Sequence, residues 1–176
     1  RKLDQEKLAR REREYRQLVN NLREVIFKTD TEGKLSFLND RWQEYMGYPA
    51  FYCIGQHFTS FLYASHHEKE KYAQVFEAII NRELPFFESE VRLQRKDGDI
   101  FWAKVSTRIE YDEEGRVMGT NGSLVDIDQR KKAEFALKAS EDRYKFLTEN
   151  TQDIIMLQSP ELYYFYASPR IYEVAG

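Results

Sequence analysis

The chain has 176 residues, of which 41% are hydrophobic and 15% aromatic, a composition that suits one globular domain with attached segments. Its formal net charge of −3 gives no general positive field, so we expect no nucleic-acid partner and no direct contact with acidic membranes. The single cysteine, Cys53, excludes an internal disulfide framework, and no apolar stretch approaches the ~20 residues that span a bilayer.

The first predicted element is a charged amphipathic helix over residues 1–24, which contains neither Gly nor Pro. Apolar residues fall at heptad spacing along it: Leu8, Tyr15, Leu18, Leu22 and Val25. Because the chain begins with Arg and not with Met, we expect a fragment of a longer protein, and a membrane anchor elsewhere in that protein stays open. The single cysteine favours a reducing compartment, so we expect the fragment to be cytoplasmic.

Alternating apolar residues predict the core of the fold over residues 25–127. Two short strands flank a turn at Gly33, several short helices follow, and three longer strands complete the domain. The predicted strands are 25–30, 34–39, 87–95, 99–111 and 116–127, and the predicted helices lie within 39–81. Strands, helices and strands in that order predict an α+β fold with an antiparallel sheet.

The three hairpin turns each end in Gly, which is typical of a three-residue turn with a bulge and sets the pairing of the strands. The pairs expected opposite each other are Phe27 with Phe37, Glu90 with Lys104, Arg92 with Trp102, Trp102 with Asp126, Lys104 with Leu124, and Val105 with Ser123. This register separates an apolar inner face, which includes Val125, from a mixed outer face, which includes Leu124.

The inner face of the predicted sheet also carries the polar residues Thr107, Asn121 and Ser123. Buried polar groups are costly unless they are hydrogen-bonded, so this trio indicates a cavity for an unidentified small molecule. The alternative is that these groups bond one another, the backbone or trapped water. The candidate pocket residues are Phe27, Phe37, Trp42, Tyr45, Phe76, Val91, Leu93, Ala103, Val105, Thr107, Asn121 and Ser123.

The outer face is expected to pass a signal to a second charged helix, predicted over residues 128–150. The candidate signal-coupling residues are Arg92, Trp102, Lys104, Asp126 and Asp128, with Asp126 within reach of Arg92 or Lys104. Heptad spacing returns along this helix at Ala133, Leu137, Tyr144 and Leu147. Because polar helices need a partner surface to persist, we expect a parallel coiled coil in a homodimer, with a solvated helix on its own domain as the alternative.

Three stretches of the sequence together resemble the PAS family: EYRQLVNNLREVIFKTDTEGKLSFLND, RLQRKDGDIFWAKV and DEEGRVMGTNGSLVDIDQRKKAE. The resemblance covers about residues 14–134 and implies a five-stranded antiparallel sheet with short helices on one face, flanked by signalling helices. It also implies that Asp126 pairs with a basic residue, at the start of a motif in which Asp128 replaces the usual Thr. The role implied is sensing or dimerisation in bacterial signalling proteins.

The sequence contains an internal repeat, in which residues 12–47 align with residues 141–176 at a constant offset of 129. Identical pairs include Tyr15 with Tyr144, Leu18 with Leu147, and Gly47 with Gly176. We therefore predict that residues 151–176 are the truncated start of a second PAS domain. The helix over residues 128–150 would then link the two domains.

The family resemblance also bears on cofactors, and the sequence argues against both flavin and haem. Phe58 occupies the position at which the flavin light sensors carry their reactive Cys, and Cys53 is expected in the core. The haem position of the oxygen sensors falls near Glu70, whereas His66 and His67 come earlier. No cysteine pair and no suitably spaced histidine pair indicates a metal site.

These patterns predict a sensory module of a bacterial signalling protein, in which a change at the pocket or in the dimer acts on a downstream effector domain through the linker helix. The expected parent is a sensor histidine kinase or a cyclic-di-GMP enzyme such as a diguanylate cyclase or phosphodiesterase. A ligand-independent dimerisation scaffold is the alternative. No catalytic residues are expected, because the sequence has no supported nucleophile–base arrangement and no GxxxxGK phosphate loop.

Overall fold

A computed structural model describes residues 10–11, 19, 23–150, 156–160 and 163–167 of the protein. The chain divides into two compact units, Arg1–Asp128 and Gln129–Gly176. Most of the helix predicted over residues 1–24 lies outside the described residues, and so does most of 151–176. No helix in the described ranges is both long enough and apolar enough to cross a bilayer.

The first unit is built on a five-stranded antiparallel sheet. Its strands are β1 Val25–Thr29, β2 Leu35–Leu38, β3 Phe86–Gln94, β4 Ile100–Tyr111 and β5 Val117–Asp126. Their order in the sheet is β2-β1-β5-β4-β3. Between β2 and β3 come α1 Arg41–Met46, α2 Ala50–Cys53, a 3-10 helix Phe58–Phe61, and α3 His66–Ile80. The predicted α+β fold is confirmed.

The helices cover one face of this sheet and form the core with it. The start of α3 is fixed by a capping box, in which Ser65 and Glu68 each bind the other's backbone N–H through their side chains. Hydrogen bonds from the backbone and side chain of Ser65 hold the pKa of Glu68 below its usual value. In the core, the Trp42 and Phe61 rings meet edge to face with centroids 4.9 Å apart.

A β-bulge in the last hairpin overturns part of the predicted register. Tyr111 pairs with Val117, as the three-residue turn requires, but Glu110 then pairs with Gly119. Met118 is therefore an extra residue on β5, and every later pair is displaced by one position. The bulge depends on Gly119, whose φ of 141° is a conformation that L side chains rarely adopt.

This displacement exchanges the two faces of β5. Leu124 pairs with Val105 and is 4% exposed, whereas Ser123 pairs with Ser106 on the outer face. The predicted inward placement of Asn121, Ser123 and Val125 is therefore wrong, as is the outward placement of Leu124. Asp126 pairs with Ala103 and not with Trp102.

The other two hairpins differ in how well they follow the prediction. The β3–β4 register is confirmed, with Glu90 opposite Lys104 and Arg92 opposite Trp102. A second bulge, between Lys28 and Thr29, displaces the β1–β2 pairing, so Phe27 pairs with Leu38 and Phe37 pairs with Lys28. The predicted pairing of Phe27 with Phe37 is wrong, and Phe37 lies on the outer face.

The second unit contains most of α4 Asp128–Asn150 and the hairpin formed by β6 Met156–Gln158 and β7 Tyr164–Ala167. This hairpin reproduces the β1–β2 hairpin residue for residue. Each of its pairs, such as Met156 with Ala167, lies 129 residues after its counterpart, and the bulge occurs at the same place. The internal repeat of the sequence is thus matched by a repeat in strand pairing.

Candidate functional site

A cavity of about 100 Å³ lies between the sheet and the helices of the first unit. It is smaller than the about 300–1,000 Å³ of pockets that hold drug-sized ligands. Its walls are apolar apart from threonines and a tyrosine, and no charged side chain lines it. The lining residues are Phe27, Thr29, Leu35, Trp42, Phe58, Phe61, Leu62, Tyr72, Val75, Phe76, Ile79, Phe87, Val91, Leu93, Val105, Thr107, Thr120 and Leu124.

Three threonines place hydroxyl groups in the cavity wall. The Oγ1 atoms of Thr29 and Thr120 are 2.8 Å apart, and the Thr120 amide N–H donates to Oγ1 of Thr29 at 3.3 Å. Thr107 donates its hydroxyl to the carbonyl oxygen of Asn121 at 3.2 Å. Each of these three oxygens therefore has at least one hydrogen-bonding partner within the protein, which offsets part of the cost of burying it.

The structure brings together many of the residues that the sequence suggested for a pocket. The candidates that line the cavity are Phe27, Trp42, Phe76, Val91, Leu93, Val105 and Thr107. The bulges carry Phe37, Asn121 and Ser123 to the outer face, Ala103 is fully buried in the core, and Tyr45 reaches away from the cavity.

Sequence reasoning missed the Thr29–Thr120 pair, which forms because the bulge at Met118 turns Thr120 to the inner face, where Thr29 lies two residues after Phe27. The available signal was Gly119, because a glycine inside a strand pattern often marks a bulge or a close backbone approach. A Cβ at Gly119 would overlap the carbonyl oxygen of Thr29 and lie 2.8 Å from its carbonyl carbon. The same contact that requires glycine therefore brings Thr120 beside Thr29.

The residues that bear on cofactor chemistry are accounted for by packing and surface contacts. Phe58 packs against Phe76 with ring centroids 5.4 Å apart. Cys53 is fully buried and accepts a hydrogen bond from Trp42 Nε1 at 3.2 Å, and burial raises the pKa of its thiol. His66 is exposed and lies 3.1 Å from a carboxylate oxygen of Glu70.

The junction between β5 and α4 is held by a polar network that centres on Asp126. One oxygen of its carboxylate binds the guanidinium of Arg95 at 2.8 Å, and the other accepts from the Asp128 amide at 2.9 Å. The Asp128 carboxylate accepts from the Trp102 amide at 3.3 Å, and Ile127 donates to the Trp102 carbonyl at 2.9 Å. The first residue of α4 is thereby bound to the centre of the sheet.

Arg95 is the basic partner of Asp126, and the predicted choice between Arg92 and Lys104 is wrong. Lys104 instead binds Glu88 at 2.8 Å on the outer face, where this bond is the main cause of the lowered pKa of Glu88. Arg92 lies over the rings of Tyr63 and Trp102, 5.2 and 5.9 Å from their centroids. The one-residue displacement of β5 turns Asp126 away from this outer cluster.

Helix α1 connects the cavity wall to this junction. Trp42 lines the cavity, and Tyr45 follows it by one helical turn. The carbonyl oxygen of Tyr45 accepts a hydrogen bond from Arg95, and its hydroxyl donates to the Arg23 carbonyl at 2.6 Å. Burial raises the pKa of Tyr45, and the negative charge of Asp126 adds to this effect. One short helix therefore contacts the cavity, the start of the domain and its end.

Among the described residues, no group of three or more His, Cys, Asp or Glu side chains is arranged to hold a metal ion. The first unit instead contains an apolar cavity that α1 joins to a strand–helix junction.

Comparisons with known proteins agree with this architecture. The family model described as PAS fold matches residues 35–124. Sporulation kinase C of Bacillus subtilis (strain 168) is 29% identical over 122 residues, which cover 69% of this chain and 27% of that kinase. The chain thus matches about a quarter of the length of this curated relative.

Two solved structures are similar to this chain in fold. The PAS domain of an HTR-like protein from Haloarcula marismortui has a TM-score of 0.60 and 19% identity, covering 72% of this chain and 100% of that one. A sensory box histidine kinase/response regulator from Burkholderia thailandensis E264 has a TM-score of 0.56 and 17% identity, covering 76% and 98%. The sheet order, the family model and these likenesses agree, and the chain belongs to the PAS fold family.

Proposed function

We propose that this chain is the sensory input segment of a bacterial signalling protein, and that occupation of its cavity acts on the helix α4. The observation that carries the proposal is the position of α1. Trp42 forms part of the cavity wall, while Tyr45 binds Arg95, the partner of Asp126. A ligand that displaces Trp42 would therefore move groups that hold the first residue of α4.

The effector we propose is a histidine kinase in the same polypeptide. The similarity to a sporulation kinase and to a sensory box histidine kinase favours this class over the cyclic-di-GMP enzymes. In this arrangement the segment itself carries no catalytic step, and its contribution is a change in the populations of two conformations. The size of the response is limited by the difference in ligand affinity between those two conformations.

We propose that the cavity binds neither flavin nor haem. Its volume of about 100 Å³ is well below the range for drug-sized ligands, and Phe58 fills the position where a reactive Cys would stand. The exposed His66 already has Glu70 as a neighbour on the same helix. Absorption spectra of freshly purified protein test this: a flavin or Soret band would contradict it.

Amide NMR under xenon pressure tests the sensory proposal in this chain, because xenon enters small apolar cavities without needing a hydrogen bond. We expect chemical-shift changes at amides near Trp42 and at the amides of Arg95, Ile127 and Asp128. Both sets of changes should depend on xenon pressure in the same way. In an Arg95→Gln variant the shifts near Trp42 should persist while those at Ile127 and Asp128 diminish. Shifts confined to the cavity wall would contradict coupling, and no shifts at all would contradict ligand access.

A second candidate function, ligand-independent dimerisation, is favoured by the surface of α4. Leu137, Tyr144 and Leu147 fall at heptad spacing and are 63%, 47% and 56% exposed. We propose that they form the seam of a parallel homodimer. Light scattering at ~100 µM should give a dimer that Leu137→Glu dissociates, while Ala139→Glu, outside the seam, should not. A monomeric wild-type chain would contradict the proposed seam.

We further propose that β6 and β7 begin a second PAS domain, with α4 as the linker. The support is the identical pairing and bulge in the two hairpins. A structure of a longer stretch of the parent protein tests this, and we expect a strand on the β6 edge equivalent to β5 on β1. A β6 edge that stays unpaired in that structure would contradict the second domain.

A further inference from the structure

Two threonines in the cavity wall, Thr29 and Thr120, carry two hydroxyl hydrogens, and the hydrogen bond between them takes up only one. Thr29 and Thr120 are 3% and 1% exposed, and their Oγ1 atoms are 2.8 Å apart. Two hydroxyls carry two hydrogens, and one hydrogen bond between them uses one. The Thr120 amide also donates to this pair, at Oγ1 of Thr29, and adds no acceptor. Within the ranges that the structure describes, no acceptor is assigned to the second hydrogen.

The third threonine differs, because its donor is already engaged. The Thr107 hydroxyl donates to the Asn121 carbonyl at 3.2 Å. The Thr29–Thr120 pair is therefore the one place among the cavity's threonines that offers a spare donor. The hydrogen can sit on either oxygen, so the pair adapts to an acceptor approaching from either side.

The volume of the cavity and the absence of charged side chains from its lining restrict the class of ligand further. A cavity of about 100 Å³ is smaller than the 150 Å³ cavity that admits benzene, so roughly four to six non-hydrogen atoms fit. An ion would be buried without a counter-charge, because no charged side chain lines the cavity. The remaining surface is contributed by aromatic and aliphatic side chains, which favour a hydrocarbon body.

We propose that the cavity takes a compact uncharged molecule that is apolar except for one hydrogen-bond acceptor, such as a carbonyl or ether oxygen, which the Thr29–Thr120 pair binds. This inference rests on the proposed sensory function and names the ligand class of the same cavity. A single substitution in the pair leaves one hydroxyl donor in place, so both threonines must be changed to remove it.

The test compares cyclopentanone with methylenecyclopentane, which have the same shape and differ in one atom, an oxygen acceptor against a methylene group. Dissociation constants for both are measured by ligand-observed NMR on the whole chain. The proteins are the wild type, Thr29→Val/Thr120→Val, and the matched control Thr107→Val. We expect the double variant to weaken the ketone relative to the hydrocarbon by about 3- to 10-fold, the value of one hydrogen bond, and the control to leave the ratio unchanged.

The outcomes distinguish a wrong ligand class from a wrong sensory function. Hydrocarbon binding with one ratio in all three proteins would overturn the ligand class and leave the cavity function standing. Failure of both probes and of xenon to bind would overturn the two together. If the double variant does not fold, the carbonyl stretch of cyclopentanone bound to the wild type decides: a lower frequency than in hexane supports the bond, and an equal frequency overturns it.

Discussion

Arg95 binds the carboxylate of Asp126 at 2.8 Å while its guanidinium lies 3.7 Å from the centroid of the Phe101 ring. The arginine is therefore held by charge on one side and by an aromatic face on another. Its other contacts are the carbonyl oxygen of Tyr45, at the end of α1, and the carboxylate of Asp99, 3.5 Å away. Arg95 therefore links α1, the β3–β4 turn and the end of β5.

Replacing Arg95 with Gln should lower the free energy of unfolding by about 1–3 kcal/mol, because a charged hydrogen bond and a cation–π contact are lost together. Lys104→Gln is the matched control. Its ion pair with Glu88 is exposed to solvent, so the loss should be clearly smaller than that of Arg95→Gln. Urea denaturation of both variants measures the difference, and equal losses would argue against a special role for Arg95.

Gly119→Ala should destabilise the protein by about 2–4 kcal/mol or prevent folding, because the new Cβ overlaps the Thr29 carbonyl at a φ of 141°. Gly115→Ala is the control, since its φ is 77° but nothing lies within 4 Å of the added Cβ. That variant should lose only about 1–2 kcal/mol. Thermal unfolding followed by circular dichroism compares the two, and a harmless Gly119→Ala would contradict the close strand contact.

The Cys53 thiol should react with a maleimide on the order of 10³-fold more slowly in the native protein than in denaturant. The thiol is fully buried, and burial raises its pKa by more than the hydrogen bond from Trp42 lowers it, so little thiolate is present near neutral pH. Mass spectrometry of timed samples gives both rates. Complete labelling of native protein within seconds would contradict this packing.

Tyr45 gives a prediction about pH. Because its pKa is raised in the folded state, first by burial and then by Asp126, the neutral phenol favours folding. This contribution is complete below the unfolded pKa near 10 and is lost as the pH rises through the folded value. The stability of the wild type should therefore fall relative to Tyr45→Phe above pH ~10. Chemical denaturation of both proteins across that range measures the difference, and parallel curves would contradict a raised pKa.

The sequence predicted the fold well because the strand and helix patterns are local. Alternating apolar residues mark β1 and β3 to β5, and the β3–β4 turn at Gly98 sets a register that holds from Gln94 and Ile100 to Phe86 and Arg108. The site was only partly predictable, because a bulge changes the face of every residue beyond it. The position of the bulge depends on the contact between Gly119 and Thr29, and Thr29 lies on a strand about ninety residues earlier in the chain.

The coupling residues illustrate the same limit. Asp126 is recognisable from the motif it begins, but the choice of Arg95 as its partner follows from the displaced register and from the approach of α1. In an ideal flat sheet without bulges, Arg92 and Lys104 would lie nearer to Asp126 than Arg95 does. The twist and bulges of the real sheet decide which cation reaches the carboxylate.

The bulge at Met118 also divides β5 into two parts with different tolerance for the loss of a residue. A deletion of Met118 would remove only the unpaired position and leave each later pair, such as Val105 with Leu124, in place. A deletion beyond Gly119 would force part of the strand to turn over, which would expose apolar side chains and bring polar ones into the cavity. Natural or engineered shortening of this strand should therefore be tolerated at Met118 and fail beyond Gly119.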